Sequence, residues 1–403
     1  MSNKRLTRRG FLTASATTVA GGVAVSCAAP NKAGTSAEPA EIQLASMVHD
    51  FDGEHQAGVS TPGQALLNMV AFTVRPGVDR AGIIRLMKVW TDDARRLCSG
   101  QTPLGDLEPE LTVAPSNMTI TCGFGARLFE IIGEEVPEWV TPIKPYKRDK
   151  LDDRWGAADL VLQICCDDPV ALSHATRQMV RGGIDYVSTR WMQQGFLHAY
   201  GATEKGQTPR NLFGQIDGTV NPRTEMQLNR QVWIDQGPEW AHGGTVMVVR
   251  RIKMNLDEWE ILDRESREIV MGRRLDNGAP LTGKEEFDAA DFAATDDFGL
   301  PVIDKQSHMA RAVAPVEHPE QALRRRSYNY DHPVEPGSEQ TANAGLVFVC
   351  FQQNPKLQFE PIQERLDESD RLNQWIEHIG SAVFFIPPGT TAGQYWGAGL
   401  LEK

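Results

Sequence analysis

Three stretches of this chain have the residue types and spacing for chemistry. The first is NLFGQIDGTVNPR, residues 211–223, where the carboxylate of Asp217 stands in a glycine-containing segment that ends in Asn221-Pro222. The second is His308, in Ser307-His308-Met309-Ala310-Arg311. The third is the triplet Arg324-Arg325-Arg326, followed by Ser327-Tyr328-Asn329-Tyr330. A carboxylate presented by a tight turn can carry a proton between two oxygens. An imidazole can ligate a metal, and arginine stabilises negative charge as it develops. Each also has an ordinary reading. Asp-Gly is a common turn dipeptide, an isolated histidine is usually a satisfied side chain, and an arginine run is usually a solvated face.

The remaining composition narrows the choice. The nine histidines form no HExxH or HxH pair, which leaves zinc hydrolases and multicopper oxidases without their usual ligand pattern. No GxGxxG follows a strand, and there is no GxxxxGK[ST] loop or GxSxG elbow. Six cysteines, at 27, 98, 122, 165, 166 and 350, show no paired spacing and no CxxCH, so neither a disulfide framework nor covalently attached haem is indicated. Cys122 and Cys350 sit in apolar runs and read as small core residues, while the adjacent Cys165 and Cys166 must point to opposite faces of a strand. The formal charge is −12. Four of the 41 basic residues precede Cys27, where no acid occurs; beyond it 37 basic residues face 53 acidic ones, a balance near −16. A nucleic-acid backbone is therefore not an expected partner.

Residues 1–27 read as a targeting segment. Leu6-Thr7-Arg8-Arg9-Gly10-Phe11-Leu12 is a twin-arginine pattern, followed by a short, weakly apolar run to Val25. Ala24-Val25-Ser26-Cys27 has lipobox character without its usual leucine, so lipid attachment at Cys27 stays open. Residues 28–48 read as a flexible tether. This predicts export by the twin-arginine machinery to a periplasmic, extracellular or outward-facing membrane-anchored location. Such export carries folded proteins, which suits a cofactor inserted beforehand.

The elements that must position the three stretches follow from periodicity. Strands are expected at 66–74, 118–125, 159–166, 243–254, 344–352 and 381–388. Helices are expected over 79–97, 170–180 with Asp168 as N-cap, 256–262 and 371–379. The order fits two α+β units, 49–225 and 226–403, each an antiparallel sheet covered by helices. A cavity between the two sheets could take a flat apolar ligand.

Several segments in register resemble one family: GEHQAGVSTPGQ (53–64), MTITCGFGARLFE (118–130), DLVLQICCDDP (159–169), GQIDGTVNP (214–222), ALRRRSYNYD (322–331), GLVFVCFQ (345–352) and HIGSAVFFIPPG (378–389). The chain resembles the dye-decolourising (DyP-type) haem peroxidases, in the exported branch that includes deferrochelatase-like enzymes. The resemblance implies tandem ferredoxin-like units forming an α+β barrel, with one haem b per chain held mainly by the second unit. It implies that His308 is the iron ligand. Asp217 and Arg325 would then be the distal catalytic pair, with Arg326 a live alternative because the spacer from His308 is one residue short. Gly218, Thr219 and Val220 would pass close to the haem, and Arg311 would meet a propionate. The partners implied are hydrogen peroxide and an organic electron donor such as a dye or phenol, oxidised through a ferryl intermediate. A homo-oligomer is compatible with the same likeness. The alternative is a haem-handling protein that releases iron. Tyr186, Trp191, Tyr328 and Tyr330 are candidates to relay electrons at the surface, against core packing as the ordinary reading.

Overall fold

LLNMVAFTV, rich in β-branched and large apolar residues without a helical stripe, forms strand β1 (Leu66–Val74). Beside it run β3 (Leu160–Cys166) and β4 (Val187–Phe196), with β2 (Thr119–Phe124) beyond β3, all antiparallel. The second half supplies β5 (Thr245–Met254), β6 (Arg324–Arg325), β7 (Tyr328–His332), β8 (Asn343–Gln352) and β9 (Ile376–Ile386). Here β8 pairs with β5, β6 and β7, and β5 pairs with β9. Two narrow seams join the halves, the pair Phe124↔Phe385 between β2 and β9 and the pair Phe196↔Asn329 between β4 and β7. The strands therefore close into a ring. The computed structural model describes residues 44–112, 114–204 and 206–403. The twin-arginine leader, Cys27 and the tether as far as residue 43 lie outside the described residues.

The space between the two sheets is not a ligand cavity. Leu67, Met69, Val161, Met247, Val349, Tyr328, Tyr330 and Phe384 fill it as a dry core. The side-chain alternation of each strand sends the other half of its residues outward, where helices cover them. Over the first sheet lies the helix Arg80–Cys98, whose N-cap Asp79 accepts from the Gly82 amide. Its buried stripe includes Ile83, Leu86, Met87, Trp90 and Leu97, each stabilising the fold by roughly 1.5–3 kcal/mol through burial. The neighbouring helix Pro169–Gly182 starts at Asp168, whose carboxylate accepts from the Ala171 amide with proline at the first position. Trp90 Nε1 donates to the Met179 carbonyl at 2.7 Å and ties the two helices together.

The stretch 371–379 differs from expectation. Only Arg371–Gln374 coils, as a 3₁₀ turn, and from Ile376 the chain is strand. Its apolar residues have helical spacing, but Ile376, Glu377 and His378 pair in register with Met254, Lys253 and Ile252 of β5. Ladder pairing along a long strand outweighs the weaker local preference. The helix expected over 256–262 is likewise short, Leu256–Trp259. Cys165 and Cys166 do face opposite sides, the former into the core between the sheets and the latter toward the helices. Trp191, Tyr328 and Tyr330 are core residues rather than surface relays.

A buried ion pair underlies the second sheet. Arg250 donates to Asp149, and both side chains are 1% exposed. His378 Nδ1 stands 3.8 Å from the same carboxylate. Burial, followed by the charge of Arg250, pushes the His378 imidazole down to about 3. Removing one partner of such a pair strands a desolvated charge. Asp149→Ala is therefore expected to cost about 3–5 kcal/mol, read as a lowered urea midpoint against the parent protein.

Candidate active site

The outward face of the second sheet, opposite the dry core, carries the site. On β6 and β8, Arg325 pairs with Cys350, and on the same face of β8 lie Phe348 and Leu346. Phe348 is only partly buried although it sits mid-strand, and it packs on Phe359 with ring centroids 6.2 Å apart. Phe359 opens the helix Phe359–Ser369, which lies against the short helix His308–Ala312.

His308 is the first residue of that short helix, whose N-cap Ser307 accepts from the Ala310 amide. Its Nδ1–H donates to Asp370 Oδ2 at 2.7 Å. The Asp370 side chain is 1% exposed and its other oxygen accepts from the Leu372 amide at 2.9 Å. The imidazole is thereby fixed in ring plane and tautomer, and its Nε2 lone pair is left without a partner among the described residues. His308 itself is one quarter exposed, so that nitrogen faces open space. Arg311, one turn on, points elsewhere. Its guanidinium meets the Glu368 carboxylate and the Arg365 carbonyl, which pins the two helices together.

Asp217 and Arg325 form an ion pair, Oδ1 to Nη1, at 2.8 Å, with side chains 14% and 24% exposed. Arg326 is ruled out as the partner. The strand's two-residue period sends it to the opposite face, where it is buried and donates to Cys165 Sγ, Tyr328 Oη and Gln64. Arg324 shares that side and binds the carbonyls of Val59, Ser60 and Pro222.

The turn is locked to the arginine strand by a residue that motif reading passed over. Asn221 accepts the Arg325 amide at 2.9 Å and donates to the Arg325 carbonyl at 2.8 Å, satisfying both backbone groups of that arginine. The Asn-Pro ending of the 211–223 segment was its only sequence signal. Gly218 has φ +130°, a conformation glycine alone adopts without strain. Thr219 is turned toward Glu286 rather than free to line a pocket, and Val220 is largely exposed. Arg273 is a further group that sequence reasoning missed. Burial lowers its basicity, Glu286 opposes the drop and the positive charge of Arg325 adds to it, and its guanidinium donates to the Glu286 and Gly278 carbonyls. No spacing in the sequence could have announced Asp370 or Arg273.

The carboxylate, guanidinium and one-sided imidazole belong to the three stretches that sequence motifs single out: Arg325 on β6, Asp217 in the turn paired to it, and His308 on a short helix packed over the same sheet through the helix Phe359–Ser369. The family model for the Dyp-type peroxidase N-terminal region matches residues 56–197, and that for the C-terminal region matches residues 208–391. The chain belongs to the Dyp-type peroxidase family. Within that family it is 32% identical to the dye-decolorizing peroxidase of Thermobifida fusca over 99% of this chain and 98% of that one. It is also 32% identical to the deferrochelatase of Escherichia coli over 87% of each. Among solved structures, the DyP-type peroxidase of Cellulomonas bogoriensis is 43% identical, covers 90% of this chain and all of its own, and superposes with a TM-score of 0.86. The DyP-type peroxidase of Streptomyces coelicolor is 37% identical over 89% of this chain and 98% of its own, with a TM-score of 0.85.

Asn221→Ala removes two hydrogen bonds and leaves the Arg325 amide and carbonyl unpaired. An expected loss of about 1–3 kcal/mol in unfolding free energy, with faster hydrogen exchange at the Arg325 amide, checks the clamp.

Proposed function

We propose that this Dyp-type peroxidase uses haem b to reduce hydrogen peroxide with electrons from an organic donor such as a dye or phenol. The observation that carries this reading is the Asp217–Arg325 ion pair, together with His308 held by Asp370 with its Nε2 unpartnered among the described residues. The donor set fits a haem: one imidazole nitrogen with an open lone pair, backed by a buried carboxylate that keeps the other nitrogen protonated. The part-exposed Phe348 gives that face an apolar floor. When bound, haem supplies an iron that coordinates peroxide and takes up its oxidising equivalents.

The chain's own residues then have distinct tasks. Asp217 takes a proton from one peroxide oxygen and returns it to the other, so that the oxygen departing from the broken O–O bond leaves as water. Arg325 stabilises the negative charge that builds on the departing oxygen. Its position is fixed at the backbone by Asn221, so little reorganisation is needed when that charge develops. Two electrons from the donor and two protons complete the reduction of one peroxide to two waters. Arg311, one turn on from His308, is a cation for a propionate and would have to leave Glu368 to serve.

A haem-handling role is the second reading, favoured by the deferrochelatase relatives. A carrier needs His308 and Asp370 but has no use for a carboxylate paired to a guanidinium. The leader is the support for export: Arg8 and Arg9 to lysine together should retain the protein in the cytoplasm, and unchanged export of that variant, followed by cell fractionation, counts against the twin-arginine route. Whether Cys27 carries lipid is part of the same proposal.

His308→Ala should give protein largely free of haem after loading and desalting, and tight, spectrally unchanged haem binding by that variant would sink the ligand assignment. Asp217→Asn should retain haem while slowing the optical change on mixing with one equivalent of peroxide by roughly 10²–10⁴-fold. A parent-like rate in stopped-flow would move the proton transfer to another group.

A further inference from the structure

Glu286 belongs to none of the recognised motifs, yet it grips the catalytic turn from both sides. Its Oε1 accepts the Thr208 hydroxyl at 2.7 Å and the Thr219 hydroxyl at 2.9 Å. The segment between those threonines doubles back on itself. The Asp217 amide donates to the Pro209 carbonyl at 2.8 Å, Arg210 bridges Ile216, and the Asn211 amide donates to the Gln215 carbonyl. Asp217 thus sits at the open end of a small hairpin, and Glu286 ties that end shut.

Two features make such a tie necessary. Gly218, between Asp217 and Thr219, has φ +130° and no side chain, so the turn has little preference of its own. The Asp217 carboxylate must nonetheless meet Arg325, which is anchored separately through Asn221. Glu286 is itself held. Arg273 donates to its backbone carbonyl at 3.0 Å and to that of Gly278 at 2.6 Å. Arg210 adds a second link to the same region through the carbonyls of Leu275 and Asp276.

We propose that Glu286 is a positioning residue for Asp217, holding Thr208 and Thr219 by one carboxylate oxygen so that the aspartate stays aimed at Arg325 over the pocket. The clamp is a property of the fold alone; its kinetic consequence rests on the peroxidase function proposed above. The role is geometric rather than electrostatic, and the two can be told apart. A glutamine at 286 keeps an acceptor oxygen for both hydroxyls and removes the charge. Valines at 208 and 219 keep the charge and remove both hydrogen bonds.

The experiment compares Glu286→Gln, Glu286→Ala and the double variant Thr208→Val, Thr219→Val. Hydrogen exchange of residues 209–221 is followed in the haem-free protein, and the reaction with peroxide is followed by stopped-flow after haem loading. Alanine and the double valine variant should speed exchange at the Asp217 amide and slow the peroxide reaction by roughly tenfold or more, the scale of a misplaced reacting group. Glutamine should stay within about threefold of the parent in both measurements. Thermal unfolding of all three identifies any variant that has lost the whole fold, and the glutamine–valine contrast stands even if alanine does. Equal losses in glutamine and alanine would overturn the geometric role in favour of charge. Parent-like exchange in both alanine and the double variant would overturn the clamp. Faster exchange with a parent-like peroxide rate upholds the clamp and overturns the proton-transfer role of Asp217.

Discussion

Three consecutive arginines on an extended strand must divide between its two faces, and the site depends on that division. Arg324 and Arg326 go inward and become structural, one satisfying loop carbonyls and the other buried against Cys165, Tyr328 and Gln64. Arg325 alone faces outward to Asp217. A one-residue slip of β6 along β8 would exchange these roles and bury the wrong guanidinium. The register is set at its neighbours: Arg324 opposite Phe351, Arg325 opposite Cys350, and the Asn221 carboxamide closing on the Arg325 backbone.

The candidate groups were legible in the sequence as short motifs; the groups that hold them in place were not. Asp217, His308 and Arg325 are marked by type and spacing alone. Their supports come from far along the chain. Asp370 is 62 residues from His308, Asn221 is 104 from Arg325, and Glu286 is 67 from Thr219. No local pattern encodes a contact at that separation, and a single aspartate ahead of a 3₁₀ turn looks like any N-cap, which Asp370 also is. The choice between Arg325 and Arg326 is of the same kind. Spacing from His308 left it open, and the face of a strand decided it.

The fold was legible where both faces of an element are covered. β1 occupies the residues that its apolar run marks, and the helix after Asp79 begins at its cap. Legibility failed at 371–379, where Leu372, Trp375, Ile376 and Ile379 have helical spacing but the long β5 ladder claims the segment from Ile376. It failed again for the space between the sheets, because periodicity shows that a face is apolar without showing what fills it. The answer is aromatic and aliphatic side chains from both sheets, with buried Arg326 among them, and the candidate site on the reverse side.

Ring closure at two single-pair seams has a mechanical consequence. Every long strand among the described residues has a neighbour on each side, but β2 and β4 meet theirs across the seams at a single pair, so most of each seam-side edge carries no ladder. The seams are also the thinnest backbone joints in the ring, each one residue pair wide against ladders of two to ten pairs within the halves. The backbone therefore contributes little across the seams, and the halves are held mainly by the side chains packed between the sheets. The Asn221 clamp and the Glu286 tie both close around the Asp217–Arg325 pair, so carboxylate and guanidinium are held as one piece.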